Sequence, residues 1–417
     1  MTPFPRDGAL DGTLALLSDP YRFVSTRGAR LGTDVFETRL MLRRALCVTG
    51  EEAARMFYEP DRFTRRGAIP VTALLLLQDR GSAATLDGDA HRHRKRMLLS
   101  LMTPDRVAAL GDTFAETWRG RLDRWAGRRV VLARELPEIL CGAACAWSGV
   151  PVADDAALRR RAEDFRAMYE GAGAVGPRNW WGLLRRAGTE RWARGLVERV
   201  RAGTLGPPVG SALRVIADHR EPDGAPMRVA HAAVELINVL RPTVAVERFV
   251  TFAAHALHLH PESRERLGVD DEPEYLDWFV QEVRRFYPFF PLVGGRARQA
   301  FEWRGHHVPR GTWVLLDLYG TDHDARRWER PDEFRPERFR GRVVGPFDLV
   351  PQGGGDHHAN HRCAGEWVTV ELMKRAVRLL TREMRYTVPP QDLRLDMSRM
   401  PAVPRSRVVI TDVQRVA

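Results

Sequence analysis

The chain has 417 residues, 44% of them hydrophobic and 29% charged, which is globular composition and excludes a disordered polypeptide. No stretch approaches the ~20 consecutive apolar residues of a membrane span, and Asp7, Asp11 and two early prolines interrupt the N-terminus where a signal peptide would run, so a soluble cytoplasmic protein is expected. Basic residues outnumber acidic ones by 65 to 54, a net charge of +11, yet the arginines are spread among acids with no basic arm or tail, which argues against a nucleic-acid binder.

Residues 1–50 read as short mixed segments, with RLMLRRALCVT as a strand that carries Cys47. From about 90 to 290 the apolar spacing is helical, with amphipathic runs at 104–126 and 154–172. Cys141 and Cys145 lie four apart in the apolar stretch LCGAACAWSGV and read as buried core thiols; no cysteine set has zinc-finger spacing. GTLGPPVGS, residues 203–211, is a loop. Residues 228–260 form one long apolar helical pattern, about 48 Å if unbroken. Past 290 come short strands and turns; 336–362 is largely loop, 365–387 is helical, and RSRVVITDV ends the chain as strand. This predicts a single large domain over 1–417, mainly α with a small β part: β-rich portions near 25–70 and 292–320 plus the C-terminus, and a helical body at 90–290 and 365–387.

Three segments carry chemistry. In ELINVLRPTVAVERF, Arg241 interrupts an apolar helical face that offers it no carboxylate. A charge there needs a partner, either solvent reached by snorkelling or an anionic ligand gripped by the planar guanidinium. Pro242 removes an N–H, so a kink is expected here, with the carbonyl of Asn238 freed. In FVQEVRRFYPFFP, Glu282 and Arg285 share a helical face, and Arg338 in FRPERF offers a second arginine. They form either a buried charge network or a solvated pair. In PQGGGDHHANHRCAGEW, Cys363 follows a glycine-rich loop and precedes a helix whose N-terminus would stabilise a thiolate. The glycines would let the backbone approach a flat cofactor closely. A reactive thiol, a buried thiol, or a metal site with His357, His358 and His361 are the readings of this segment taken alone.

Cys363 in its glycine loop, Glu282 with Arg285, and Arg338 in PERF resemble, in order and spacing, the cytochrome P-450 superfamily. INVLRP, FVQEVRRFYPF, LDLYGT-HD, DEFRPERF and PQGGGxxxxxHRCxGE are similar to its bacterial fatty-acid peroxygenase (α/β-hydroxylase) branch, over roughly residues 10–410. Two departures from the wider superfamily agree with that branch. Asp356 stands where a phenylalanine usually precedes the cysteine by seven residues. Arg241-Pro242 replaces the acid and threonine that deliver protons to bound dioxygen, and Thr243 follows without a preceding acid.

The resemblance implies a P-450-type fold enclosing haem b, with Cys363 as axial thiolate on iron. His91, Lys95 and Arg65 are the expected propionate contacts. Glu282, Arg285 and Arg338 are expected to be structural. A long-chain fatty acid would seat its carboxylate on Arg241, beside Pro242, and act as its own general acid–base in the cleavage of hydrogen peroxide. The long helix is read as supplying no acid for that step. No redox partner would then be obligatory. Anchoring the head group puts only Cα and Cβ within reach, so 2- or 3-hydroxy acids are the expected products. Phe289, Phe290 and Leu292 are either alkyl-channel or core residues. Alkene-forming members of the branch carry a histidine above the haem and hydroxylating members often a glutamine; here Ala84 holds that position, with Thr85 next, and hydroxylation is expected to dominate. Other readings are a monooxygenase fed by an acidic ferredoxin, a decarboxylase giving terminal alkenes, and a haem-binding sensor without turnover.

Overall fold

Apolar spacing sets the helices. Pro104 opens the helix Pro104–Trp125, whose buried stripe runs Val107, Leu110, Phe114, Trp118, Leu122 and Trp125, three or four residues apart. Asp154 caps the helix Asp155–Ala172 by accepting the Ala157 N–H. Both match the expected runs, and 203–211 is indeed the loop before the helix Ala212–Asp218. Cys141 and Cys145 are buried in the helix Leu132–Ser148. The computed structural model from which these elements are taken describes residues 3–269 and 273–416.

The stretch read as one strand is a hairpin. Val35–Leu40 and Arg43–Thr49 pair antiparallel around a two-residue turn, Met41-Leu42, with both residues left-handed (φ 52° and 61°). No glycine or asparagine marks this turn, so the sequence hid it. The hairpin joins a five-stranded sheet in the order Val35–Leu40, Arg43–Thr49, Trp313–Asp317, Leu292–Ala297, Phe63–Thr64. Strand Arg43–Thr49 runs parallel to Trp313–Asp317, with Leu46 opposite Val314. Alternation puts Val35, Leu46, Val48, Val314 and Leu316 in one apolar cluster and Phe36, Cys47, Trp313 and Leu315 in another, on opposite faces. Two short helices, Thr13–Ser18 and Phe23–Leu31, occupy the N-terminal stretch where only mixed segments were legible. Residues 365–387 divide into the helix Glu366–Arg378, a π-turn and the strand Met384–Thr387, which pairs with Val409–Arg415.

The long apolar pattern becomes two consecutive helical segments, Val229–Ala245 and Glu247–Leu259. By length and composition they are apolar enough to cross a membrane, but most of that surface lies inside the protein. The break differs from the expected one. Helix runs through Pro242 and is interrupted at Val246 (φ −59°, ψ −19°), one turn later. The Thr243 hydroxyl donates to the Val239 carbonyl at 2.8 Å, holding the turn that proline weakens.

Candidate active site

The cysteine loop is built from below. The Cys363 N–H donates to the Gln352 carbonyl at 3.1 Å, and Gln352 Nε2 lies 3.8 Å from Cys363 Sγ while donating to Thr369 at 3.0 Å. Cys363 is half-buried, three residues before the helix Glu366–Arg378. Burial and the Glu366 carboxylate push its thiol up; the Gly365 N–H, Lys95 and Arg284 oppose this. The glycines serve the loop itself. Gly353 and Gly355 are left-handed (φ 89° and 84°), and a Cβ on Gly354 would stand 2.8 Å from the Pro346 carbonyl oxygen. Beneath the loop, Glu366 accepts from Arg362 Nε at 2.6 Å and from Arg284. Burial raises the Glu366 carboxyl, but Arg284 and Arg362 hold it down to about 2. This buried ionic group was not anticipated; the only sequence signal was Arg362 four residues before Glu366.

On the long helix Arg241 is buried, as is everything around it from Leu236 to Ala245 except the half-buried Asn238 and Pro242. Its Nη2 donates to the carbonyl of Leu77, the last residue of the helix Val71–Leu77. Its Nε has no partner, and among the described residues no carboxylate pairs with it. Desolvation pushes the guanidinium down to about 9, with Arg186 adding repulsion and the Cys363 thiolate opposing. Snorkelling to solvent is ruled out by this burial.

The long helix does carry two acids, Glu235 and Glu247, contrary to the sequence reading; each is paired with an arginine, and Glu235 Oε2 is buried without a hydrogen-bond partner. Glu235, buried, accepts from the Ala83 N–H at 2.6 Å and from Arg94 at 3.1 Å; Glu247 faces Arg248 at 3.2 Å and the Tyr169 hydroxyl at 3.0 Å. Glu235 thereby ties the 3-10 turn Ala83–Thr85, which carries Ala84, to the arginine helix. Asn238 Nδ2 donates to the Gln78 carbonyl at 2.9 Å, a second tie to the same segment. Leu77, Gln78, Asn238 and Glu235 had no local signature, because each bond spans more than 140 residues.

Arg65, His91 and Lys95 come together against the cysteine loop. Lys95 Nζ donates to the Arg362 carbonyl at 2.8 Å and to that of Asn360. The His91 ring lies 3.9 Å from that of His361, and Arg65 donates to the Gly294 carbonyl at 2.6 Å. Arg65, His91 and His361 line a cavity of about 60 Å³ with Phe57, Tyr58 and Asn360. Desolvation pushes Lys95 down to about 8 and His91 to about 4. No acid makes an ion pair with Arg65 or Lys95 among the described residues. A thiol at a helix start and two buried cations, Arg65 and Lys95, that make no ion pair among the described residues fit a haem with two propionates. They do not fit a histidine–cysteine metal centre, since no group of three potential ligands occurs among the described residues.

Glu282, Arg285 and Arg338 form one buried group. Arg285 grips Glu282 through two bonds of 2.8 Å, Arg338 Nε reaches it at 3.1 Å, and the Arg335 N–H at 2.8 Å. Phe289 packs on Phe249 (ring centroids 4.3 Å apart) and on Phe290 (4.6 Å), while Leu292 packs with the cluster of Phe36 and Trp313 on the sheet.

A family model described as Cytochrome P-450 matches residues 271–405. Among solved structures, cytochrome P-450SP alpha (CYP152B1) in complex with (R)-ibuprophen is 48% identical, covers 97% of this chain and 99% of its own, and superposes with a TM-score of 0.94. Cytochrome P-450EX alpha (CYP152N1) with myristic acid is 40% identical with full coverage of both chains and a TM-score of 0.96. A cytochrome P-450 OleT variant in complex with arachidonic acid is 36% identical, covers 100% of this chain and 99% of its own, with a TM-score of 0.96. The first curated relatives are matched over only 17% to 36% of their own length.

Proposed function

The chain belongs to the cytochrome P-450 family, in the branch of P-450SP alpha, P-450EX alpha and OleT, and from that premise we propose that it is a peroxygenase hydroxylating long-chain fatty acids at Cα or Cβ with hydrogen peroxide. Its cofactor is haem with a cysteine thiolate on iron, and Cys363 is the cysteine we assign. Bound haem supplies cleavage of the peroxide O–O bond and transfer of one oxygen, favoured by electron density from the thiolate. The balance is R–H + H2O2 → R–OH + H2O, with no external electrons and no reductase.

One observation carries the reading: a buried guanidinium without an acid of its own among the described residues, with Nε unpartnered. A fatty-acid carboxylate on Arg241 completes the ion pair through charge-assisted hydrogen bonds. The same carboxylate takes a proton from peroxide and returns it to the departing oxygen, a role no protein acid fills, because Glu235 and Glu247 are engaged elsewhere. Relatives bound to myristic and arachidonic acids agree with a long acyl chain here. Ala84, at the position where alkene-forming relatives carry histidine and hydroxylating ones glutamine, matches neither pattern, and we assign hydroxylation as the main reaction.

The test supplies peroxide alone. Haem-loaded protein with hydrogen peroxide and myristic acid is expected to yield 2- or 3-hydroxymyristate. Turnover seen only with ferredoxin, its reductase and NAD(P)H would replace this reading with a conventional monooxygenase. Arg241→Ala is expected to lower kcat/KM by at least ~100-fold while leaving the thiolate Soret spectrum unchanged.

A further inference from the structure

One surface of the molecule combines three features that cost the folded chain something and gain nothing within it. The first is exposed apolar surface. Leu10, Leu14 and Leu42 are 90%, 82% and 81% exposed, and Met41 is 45% exposed. They form one patch, because the Met41 N–H donates to Thr13 Oγ1 at 2.6 Å, the Leu42 N–H to Asp11 Oδ2 at 2.6 Å, and the Gly12 N–H to the Arg39 carbonyl at 2.7 Å. The second is backbone strain. Met41 and Leu42 both hold left-handed φ in a turn that favours asparagine and glycine, and so thrust two large apolar side chains outward. The third is charge. The hairpin register places Arg39 directly opposite Arg44, a like-charge pair across the strands. Arg39, Arg43 and Arg44 are exposed, and none makes an ion pair among the described residues. The patch's one carboxylate, Asp11, spends its oxygens on the N–H groups of Thr13 and Leu42.

We propose that this hairpin tip and the short helix beside it dock the protein on an anionic lipid bilayer. A bilayer accounts for all three features together. Its headgroup layer neutralises the crowded arginines, and its acyl region receives the four apolar side chains. The apolar residues sit at the tip of a hairpin and on the segment bonded to it, where nothing among the described residues covers them. The surface lies apart from the candidate active site, so its test does not depend on turnover.

Haem-loaded full-length protein is sedimented with vesicles of phosphatidylcholine alone and of phosphatidylcholine with about 30% phosphatidylglycerol. Binding to the anionic vesicles is expected, weakening as salt rises and the screening length shortens. The double substitution Met41→Asn/Leu42→Gly gives the turn its preferred residues. It is expected to raise Tm while weakening vesicle binding at least tenfold, which separates lost docking from lost folding. Arg44→Glu, which turns the repulsive cross-strand pair into an attractive one, is expected to do the same. Absence of anionic-vesicle binding in the wild type overturns the proposal, as does equal binding to both vesicle types or unchanged binding in both variants. A wild-type dimer that becomes monomeric in Met41→Asn/Leu42→Gly also overturns it, because a second copy would then be what covers the patch.

Discussion

An arginine buried without an acid is a liability that only a ligand redeems. Arg241 has a single helix-end carbonyl for company, and its Nε has no partner. Replacing even a buried ion pair by apolar side chains of similar volume is often neutral or stabilising, and a buried charge with no counter-ion has still less to lose. Arg241→Met is therefore expected to raise the Tm of the fatty-acid-free holoprotein, while myristic acid, which should raise the wild-type Tm, leaves that of the variant unmoved. A lower Tm in Arg241→Met would mean that the arginine is structural. Glu366 is the opposite case, an acid fully served by two arginines. Its carboxyl is held near 2 against an ordinary 4.5, so it titrates more readily in the unfolded chain. The stability it contributes is present above pH ~4.5 and is lost as pH falls toward 2; the difference corresponds to roughly 3 kcal/mol at neutral pH. Glu366→Gln is thus expected to be markedly less stable than wild type at pH 6, and the two should converge between pH 4.5 and 2 in denaturant titrations.

Two ionic ties hold elements in place, and they differed in how visible they were. Glu282 and Arg285 are three residues apart, and Arg338 stands in a recognisable run, so their meeting was legible in the sequence and the structure adds the bidentate geometry. Removing one partner of a fully buried pair costs about 3–5 kcal/mol. Arg285→Ala should accordingly shift the urea midpoint strongly downward, whereas Arg338→Ala, leaving the bidentate pair intact, should shift it less. The tie between Glu235 and the turn Ala83–Thr85 was invisible, because nothing local in either segment announces a bond across 152 residues. Glu235→Ala frees that turn and leaves Arg94 with Glu221 alone, so KM for the fatty acid should rise more than kcat falls. Helices with clean three-and-four spacing were readable end to end. The hairpin turn at Met41-Leu42 and the strand Met384–Thr387 were not, because one lacks turn residues and the other continues a helix-like pattern. The expected kink at Pro242 moved to Val246, since the Thr243 hydroxyl supplies a local bond that residue-by-residue propensity does not count.

At the scale of the whole molecule, the chain divides into parts that do and do not need the cofactor. The main helical core packs Phe114, Trp118, Leu136, Phe165, Leu240 and Phe252, all nearly inaccessible. The cofactor side is different. Arg65, Lys95, His91 and His361 crowd together, neither Arg65 nor Lys95 makes an ion pair among the described residues, and desolvation depresses the titration of each. The two histidines are neutral there, and the cations Arg65 and Lys95 lack the ion-pair partner that two propionates would provide. Loss of haem should therefore loosen the protein locally rather than throughout. The sharpest check is hydrogen exchange on haem-free and haem-loaded protein. Without haem, the loop 352–365 and the helix Gly88–Ser100 should lose protection by orders of magnitude, while the helices Pro104–Trp125 and Leu132–Ser148 keep theirs. Raising ionic strength should restore part of the lost protection by screening the clustered cations, a response that a purely apolar contact with the cofactor would not give. Uniform loss of protection across both regions would show instead that the helical core and the cofactor side fold as one unit.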